Sequence, residues 1–208
     1  MDIISILKKV NAVITDDHFV YTSGKHGEVY INKDAIYPHP LEVSEVGKLF
    51  AQKYKDWEID VVAAPALGGI ILSTWTAYHL TQLQGQEVLG VYAEKMPDKS
   101  MAFTRGYDFL IKGKKVLVIE DLTTTGGSVK KVVDLVNKTG GQVVAVCVMI
   151  NRNPKEVNEE FIGVPFDSLG VLEANAWNEN ELPEHISKRP INTSVGHGKK
   201  YLDLKNSK

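Results

Sequence analysis

The chain has 208 residues, of which 43% are hydrophobic and 24% are charged. These ordinary globular proportions exclude a disordered or low-complexity protein. The net charge of −2 argues against a general affinity for nucleic acids, because a polyanion binder normally carries a basic excess. No apolar run reaches the ~18 residues of a membrane span, and residues 1–9 lack the basic-then-apolar order of a signal peptide. We therefore expect a cytoplasmic protein without nucleic-acid or membrane partners.

The amino-terminal region contains the first predicted elements. His18–Thr22 and Val29–Asn32 are short β-forming runs on either side of Ser23–Gly27, which contains a turn, and this arrangement predicts a hairpin. Within that turn, His26 is expected either to be solvated or to contact a substrate. A helix over residues 40–57 follows.

Four segments predict buried strands: Ile59–Ala64, Glu87–Tyr92, Lys115–Ile119 and Gln142–Ile150. The first and third lead into glycine-bearing turns and then into helical patterns. After the third strand, valines at positions 129, 132, 133 and 136 recur at the i, i+3, i+4 and i+7 spacing of a helix face. Strands that alternate with helices in this way predict βαβ units and an α/β fold with a parallel sheet.

Two regions depart from this alternation. Residues 94–110 form a long polar connection between two strands, which indicates a functional lid or a disordered segment. Residues 174–208 contain few apolar residues and are expected to wrap the surface. Because no repeat or compositional break is present, we predict a single domain over residues 1–208, with an amino-terminal segment of about 1–37 and an α/β core of about 38–173.

The strongest motif is Val116–Val129, where a buried strand leads into two acids and a loop rich in hydroxyls and glycines. Ligands of open α/β sheets bind at the carboxyl ends of the strands, and a glycine loop before a helix offers backbone N–H groups to an anion. The loop is therefore predicted to hold a phosphate, while Glu120 and Asp121 accept hydrogen bonds from sugar hydroxyls or engage a cation. It is not a Walker loop, because Ser128 stands where that motif needs lysine.

This pattern resembles the phosphoribosyl pyrophosphate (PRPP) motif of type I phosphoribosyltransferases. Three further segments are similar to the orotate phosphoribosyltransferases within that family. Tyr21–Asn32 looks like their amino-terminal segment, Ala64–Ile70 like their pyrophosphate-binding turn, and Ala93–Gly106 like the catalytic loop of one branch. The resemblance covers roughly residues 15–155.

The resemblance implies a parallel sheet flanked by helices, a small amino-terminal hood and a mobile loop. It implies transfer of the phosphoribosyl group from PRPP to orotate, giving orotidine 5′-monophosphate and pyrophosphate. Two alternatives remain open: a phosphoribosyltransferase for another base (purine or uracil), and a PRPP-sensing regulator that binds nucleic acid. The implied cofactor is Mg²⁺, bound mainly through the substrate with Asp121 as the candidate protein contact. The implied assembly is a homodimer whose loops complete shared active sites.

The resemblance also assigns site residues. The catalytic candidates are Lys99, Glu120 and Asp121. The PRPP-binding candidates are Ala66, Leu67, Gly68, Gly69, Lys95, Arg105, Glu120, Asp121, Thr123, Thr124, Thr125, Gly126, Gly127 and Ser128. The orotate-binding candidates are Lys25, Tyr30, Thr124 and Arg152.

Arg152 is the residue expected to select orotate. It directly follows the predicted strand Gln142–Ile150, and the planar fork of a guanidinium can bind a carboxylate through two hydrogen bonds. The alternative is an arginine that caps the strand end or pairs with Glu156.

Overall fold

The computed structural model describes residues 2–21, 23–173 and 175–206. Met1, Thr22, Ala174, Ser207 and Lys208, which the amino-terminal and tail predictions include, lie outside those residues. We call residues 1–37 the hood. Its described residues form one helix, four short strands and a 3₁₀ helix: α1 (Ile3–Lys9), β1 (Val13–Ile14), β2 (Phe19–Val20), β3 (His26–Gly27), β4 (Tyr30–Ile31) and the 3₁₀ helix Lys33–Ile36.

The predicted pairing of His18–Thr22 with Val29–Asn32 is wrong. Strand β2 pairs with β3, while β4 pairs with β1, both in antiparallel orientation. The chain reverses earlier than expected because Gly24 adopts a left-handed conformation with φ of 78°, and its N–H donates to the Tyr21 carbonyl at 2.9 Å. This tight turn brings His26 beside Val20, and β4 pairs with β1 instead.

The core alternates strands with helices, as the sequence predicts. Its elements are α2 (Pro40–Tyr54), β5 (Val61–Pro65), α3 (Gly68–Gln84), β6 (Leu89–Lys95), β7 (Met101–Ala102), α4 (Tyr107–Ile111), β8 (Lys115–Thr123), α5 (Gly127–Thr139), β9 (Gln142–Asn151), α6 (Glu159–Ile162) and β10 (Phe166–Val171). These strands form one sheet in the order β10-β9-β8-β5-β6-β7. Every neighbouring pair is parallel except β6 and β7. The predicted α/β class is confirmed.

Helices cover both faces of the sheet, and β8 contributes to both layers. Leu117 and Ile119 pack into the layer that contains α2 and α3, whereas Val116 and Val118 pack into the layer beneath α5. Because side chains alternate along a strand, Asp121 continues the first face and Glu120 the second. The two acids therefore leave the strand on opposite sides.

The tail, defined as residues 174–208, lies against the hood where it is described. It contains the 3₁₀ helix Glu179–Glu181, α7 (Glu184–Ser187) and α8 (Gly198–Asn206). The backbones of Trp177 and His26 exchange two hydrogen bonds, each of 2.9 Å. His26 itself is buried rather than solvated, because the tail covers it. No helix among the described residues is long and apolar enough to cross a membrane.

Candidate active site

The sequence suggested that the two acids of the PRPP-like motif follow a strand. In the structure they lie inside that strand, β8. The reason is pairing with a distant segment: β8 continues along β9 until Thr123 stands opposite Asn151. Glu120 and Asp121 are consequently only 7% and 2% exposed. Between β8 and α5 only three residues remain, Thr124, Thr125 and Gly126.

Asp121 is held by two side chains that the sequence did not single out. Lys33 Nζ and the Tyr37 hydroxyl each donate a hydrogen bond of 2.7 Å to Asp121 Oδ2. Burial alone would lower the pKa of Lys33, but the hydrogen bond and the charge of Asp121 outweigh it and raise that pKa. Burial, and then the charge of Asp121, also raise the pKa of Tyr37. Two protonated donors therefore converge on one carboxyl oxygen at pH 7.

Glu120 is the second unusual carboxyl group of this strand. Its Oε1 accepts a hydrogen bond of 3.0 Å from the Asp121 backbone N–H. Burial raises the pKa of Glu120 well above its usual range, and the neighbouring charge of Asp121 raises it further. A buried carboxyl group with a perturbed pKa at the end of a central strand is typical of a functional site.

The predicted pyrophosphate turn, Ala66–Gly69, reaches the Asp121 cluster. A Cβ atom added to Gly68 would lie 2.0 Å from the Tyr37 hydroxyl oxygen and 2.3 Å from Asp121 Oδ2. The turn backbone is thus in direct contact with the groups that hold the acid. Leu67 is 82% exposed, so the outer side of the turn is open to a ligand.

We expect Gly68→Ala to lower kcat/KM by at least tenfold, or ~1.4 kcal/mol in the barrier, because the added methyl group must displace Tyr37 or Asp121. Initial rates at limiting substrate would measure this. Gly85→Ala is a matched control at the other end of α3. A methyl group there has nothing within 4 Å, but the φ of +68° is strained. It should lower the melting temperature and leave kcat/KM unchanged; equal losses in both variants would contradict the prediction.

The predicted phosphate loop leads directly into the amino terminus of α5. Thr124, Thr125 and Ser128 are exposed at the start of α5, where backbone N–H groups and the helix dipole favour negative charge. Thr123 is buried instead, and its hydroxyl accepts a hydrogen bond of 3.0 Å from Gly126 N–H. Gly126 has a φ of +71°, and the Phe161 ring occupies the place of a Cβ at 2.4 Å. Only glycine fits there.

A cavity of about 580 Å³ opens between the hood, the carboxyl ends of β8 and β9, and the tail. Three of the four predicted orotate-binding residues line it: Tyr30, Thr124 and Arg152. This volume lies in the usual range for small-molecule sites. The fourth candidate, Lys25, is exposed in the hood turn and is not among the described residues that line the cavity.

Arg152 lines the cavity, and no ion pair between it and Glu156 is found among the described residues. Its Nε atom is buried without a hydrogen-bond partner among the described residues. Its guanidinium carbon lies 6.0 Å from the centre of the Tyr21 ring. Glu156 instead accepts a hydrogen bond of 2.8 Å from the Asn153 side chain. A buried donor without a partner is costly, and an anionic ligand in the cavity would satisfy it.

Residues 94–110 contain regular structure, so the alternative of a disordered segment is wrong, while the lid remains a prediction. Glu94 and Lys95 end β6 and pair with β7 to form a hairpin, and α4 follows at Tyr107. The hairpin forms because the Asp98 carboxylate accepts hydrogen bonds from the N–H and hydroxyl of Ser100, at 2.9 and 2.6 Å. An aspartate in this position favours a turn.

The cations of this hairpin lie away from the cavity in this conformation. None of Lys95, Lys99 and Arg105 is among its described lining residues. Arg105 forms an ion pair of 3.4 Å with Glu94. Lys99 is exposed in the hairpin turn, and its carbonyl oxygen accepts a hydrogen bond of 2.9 Å from Lys131 Nζ. Their roles in PRPP binding and catalysis remain predictions.

We expect Lys99→Ala to lower turnover by at least tenfold, or ~1.4 kcal/mol, because it removes a mobile cation from the leaving pyrophosphate. The melting temperature should hardly change, since this side chain is exposed. Lys55→Ala, at another exposed lysine, is the control for loss of charge. PRPP should also slow proteolysis within residues 94–110. Equal cleavage with and without PRPP, together with unchanged turnover, would rule out this role.

The glycine turn, the two buried acids and the hydroxyl-rich loop lie together at the carboxyl edge of a parallel sheet. This arrangement is typical of α/β proteins that bind a phosphorylated ligand. A sequence model of the phosphoribosyl transferase domain matches residues 32–179. The chain therefore belongs to the phosphoribosyltransferase family, as its motif predicts.

Two similar relatives are orotate phosphoribosyltransferases of bacteria. The protein of Caldanaerobacter subterraneus subsp. tengcongensis is 37% identical, over 87% of this chain and 89% of the relative. The protein of a Thermoanaerobacter species is 38% identical, over 88% and 90% respectively.

Solved structures share the fold at lower identity. Orotate phosphoribosyltransferase of Mycobacterium tuberculosis in complex with inorganic phosphate has a TM-score of 0.64 and 22% identity, covering 82% of this chain and 96% of that one. Adenine phosphoribosyltransferase of Thermoanaerobacter pseudethanolicus has a TM-score of 0.63 and 18% identity, covering 80% and 99%. Because proteins named for different bases share the fold, the fold does not identify the base.

Proposed function

We propose that this chain transfers the phosphoribosyl group of PRPP to orotate, giving orotidine 5′-monophosphate and pyrophosphate. The observation that carries the proposal is the cavity beside the phosphate loop, which is lined by Arg152, an arginine whose buried Nε has no hydrogen-bond partner among the described residues. Orotate differs from uracil by a carboxylate, and that group would complete the hydrogen bonding of the guanidinium. The relatives described above, which are named orotate phosphoribosyltransferases, support the same base.

The chain's own residues supply binding and orientation. Thr123–Ser128 anchor the 5′-phosphate, and the backbone of Ala66–Gly69 receives the pyrophosphate. With both ends of PRPP held, its ribose carbon faces the cavity that receives the base. The attack of the orotate ring nitrogen on this carbon then becomes effectively intramolecular. The bond from this carbon to pyrophosphate breaks as the bond to the orotate ring nitrogen forms.

The buried acids act on the sugar. The ribose carbon becomes cation-like as the leaving group departs, and the carboxylate of Asp121 stabilises that charge. Lys33 and Tyr37 position Asp121 for this task through their hydrogen bonds to Oδ2. Glu120 accepts hydrogen bonds from the ribose hydroxyls.

The donor set fits Mg²⁺ that arrives with the substrate. No cluster of three or more His, Cys, Asp or Glu side chains forms a metal cage among the described residues. Mg²⁺ is commonly held by one or two carboxylates together with substrate phosphates, and Asp121 is the candidate carboxylate. When bound, the ion neutralises the charge of the leaving pyrophosphate.

We further propose a cytoplasmic homodimer with shared active sites. The family resemblance implies that the hairpin of a second copy supplies Lys95, Lys99 and Arg105 to the pyrophosphate. The described Cys147 is a free, buried thiol, which is ordinary in a reducing compartment. A solution mass of two chains by light scattering would support the dimer.

A panel of bases tests the activity. The protein is incubated with PRPP, Mg²⁺ and either orotate, uracil, adenine, guanine or hypoxanthine, and pyrophosphate release is measured. We expect release with orotate alone. Release with another base instead would assign a different phosphoribosyltransferase. No release with any base, together with a mobility shift of labelled RNA or DNA, would favour a regulator.

A further inference from the structure

One side of the cavity that Arg152 lines is formed by residues that come after the segment matched by the family model. The domain match ends at residue 179, yet Gly196 and His197 line the cavity together with Tyr30 and Arg152. The base site of this chain is thus built from three parts: the hood, the ends of β8 and β9, and the tail.

Backbone hydrogen bonds attach this part of the tail to the hood. Asn192 N–H donates to the His18 carbonyl at 2.7 Å, and His197 N–H donates to the Val20 carbonyl at 2.9 Å. The Asn192 side chain also donates to Asp17 Oδ2 at 2.7 Å. Because Val20 itself lines the cavity, its bond to His197 places that residue at the cavity edge.

A buried histidine pair reinforces the attachment. His18 Nε2 lies 2.7 Å from His26 Nδ1, and His18 Nδ1 lies 3.1 Å from the carbonyl of Arg189 in the tail. The ring of Tyr201, in α8, packs edge-on against His26 with 5.0 Å between ring centres. Buried contacts on both sides of residues 190–198 give this wall a defined position.

Gly196 brings the wall close to the ring of Tyr30. Its φ is +73°, and a Cβ atom there would lie 3.1 Å from the Val20 carbonyl oxygen and 3.6 Å from Tyr30 Cε2. The backbone therefore bends in a conformation that glycine allows, and the next residue, His197, meets the cavity.

We propose that residues 175–206 form the third wall of the base site and that His197 is a base-binding residue. This rests on the proposed function. Orotate carries two ring carbonyl oxygens and a ring N–H besides its carboxylate, and a ring nitrogen of histidine can hydrogen-bond such a group. Arg152 binds the carboxylate, while His197 hydrogen-bonds the polar edge of the ring. One residue of the core and one of the tail thus contact different parts of the same base.

Substitution of His197 tests the proposal through substrate-specific kinetics. His197→Ala should raise the KM for orotate by about tenfold, the scale of one lost hydrogen bond, and leave the KM for PRPP within about twofold. His197→Gln keeps a donor and an acceptor and should recover most of the loss. His185→Gln is the matched control, because His185 is a tail histidine outside the cavity lining that pairs with Glu28 at 3.1 Å.

Hydrogen exchange of the wild-type protein provides a second test that needs no variant. Orotidine 5′-monophosphate should slow amide exchange within residues 192–198, whereas pyrophosphate alone should not. Unchanged orotate KM in His197→Ala, or unchanged exchange in this segment, would overturn the inference while leaving the proposed function intact. A wild-type protein that does not use orotate would instead overturn the proposed function.

Discussion

Asp121→Asn is expected to lower kcat by at least 100-fold, or ~2.7 kcal/mol in the barrier. The substitution keeps the shape of the side chain but removes the negative charge that stabilises the cation-like ribose carbon. It also leaves the Lys33 ammonium, 2.7 Å from this side chain, without a counter-charge beside the reacting sugar. Steady-state rates at saturating substrates measure the effect.

The control for this prediction is an aspartate that is also charged but does not contact the site. Asp134 is exposed on α5 and pairs with Lys130 at 3.4 Å, so Asp134→Asn should leave kcat unchanged. Glu120→Gln should weaken sugar binding. Rates within about threefold of wild type for both Glu120→Gln and Asp121→Asn, well under 1 kcal/mol, would show that the motif is misassigned.

The core of the fold could be predicted because its signals are local. Fully apolar runs such as Lys115–Ile119 form central parallel strands, and the valine stripe that begins at Val129 predicts α5 from spacing alone. The end of β8 could not be predicted in the same way. Whether Glu120 and Asp121 extend the strand depends on hydrogen bonds with β9, which lies more than 20 residues further along the chain.

The residues of the candidate site also fall into two groups, those that local sequence signals predict and those that depend on contacts between distant segments. Thr124 belongs to the hydroxyl- and glycine-rich loop after a predicted strand, and Arg152 follows the predicted strand Gln142–Ile150, so their place at the sheet edge follows from the sequence. Lys33 and Tyr37 lie 88 and 84 residues from the carboxylate that they contact, and no local spacing connects them to it. His197 was missed for a similar reason, since the tail reaches the cavity only through its attachment to the hood.

Arg152→Ala is expected to weaken the use of orotate by ~2 kcal/mol or more, about 30-fold in kcat/KM for that substrate. The guanidinium Nε is buried and has no partner among the described residues, so the orotate carboxylate is the group that would pair with it. The KM for PRPP should change much less, because its phosphates bind the separate loop of Thr123–Ser128. Initial rates with one substrate varied at a time measure both effects.

Arg152→Lys distinguishes charge from geometry at this position. Lysine keeps the positive charge but lacks the planar fork that binds a carboxylate through two hydrogen bonds. The kcat/KM of Arg152→Lys for orotate should therefore lie between the values of wild type and Arg152→Ala. Glu156→Gln tests the competing interpretation, in which the arginine pairs with a neighbouring acid. Since Glu156 contacts Asn153 instead, that variant should keep the wild-type KM for orotate.

A different result for Arg152→Ala would change the assigned base. Equal losses for orotate and PRPP would mean that the Arg152 side chain supports the whole sheet edge, through packing such as its contact with the Tyr21 ring. No loss for orotate would mean that Arg152 does not bind a carboxylate of the natural base. Either outcome favours a phosphoribosyltransferase for another base, because a site that selects orotate over uracil needs a positioned cation at the base and Arg152 is the arginine placed there.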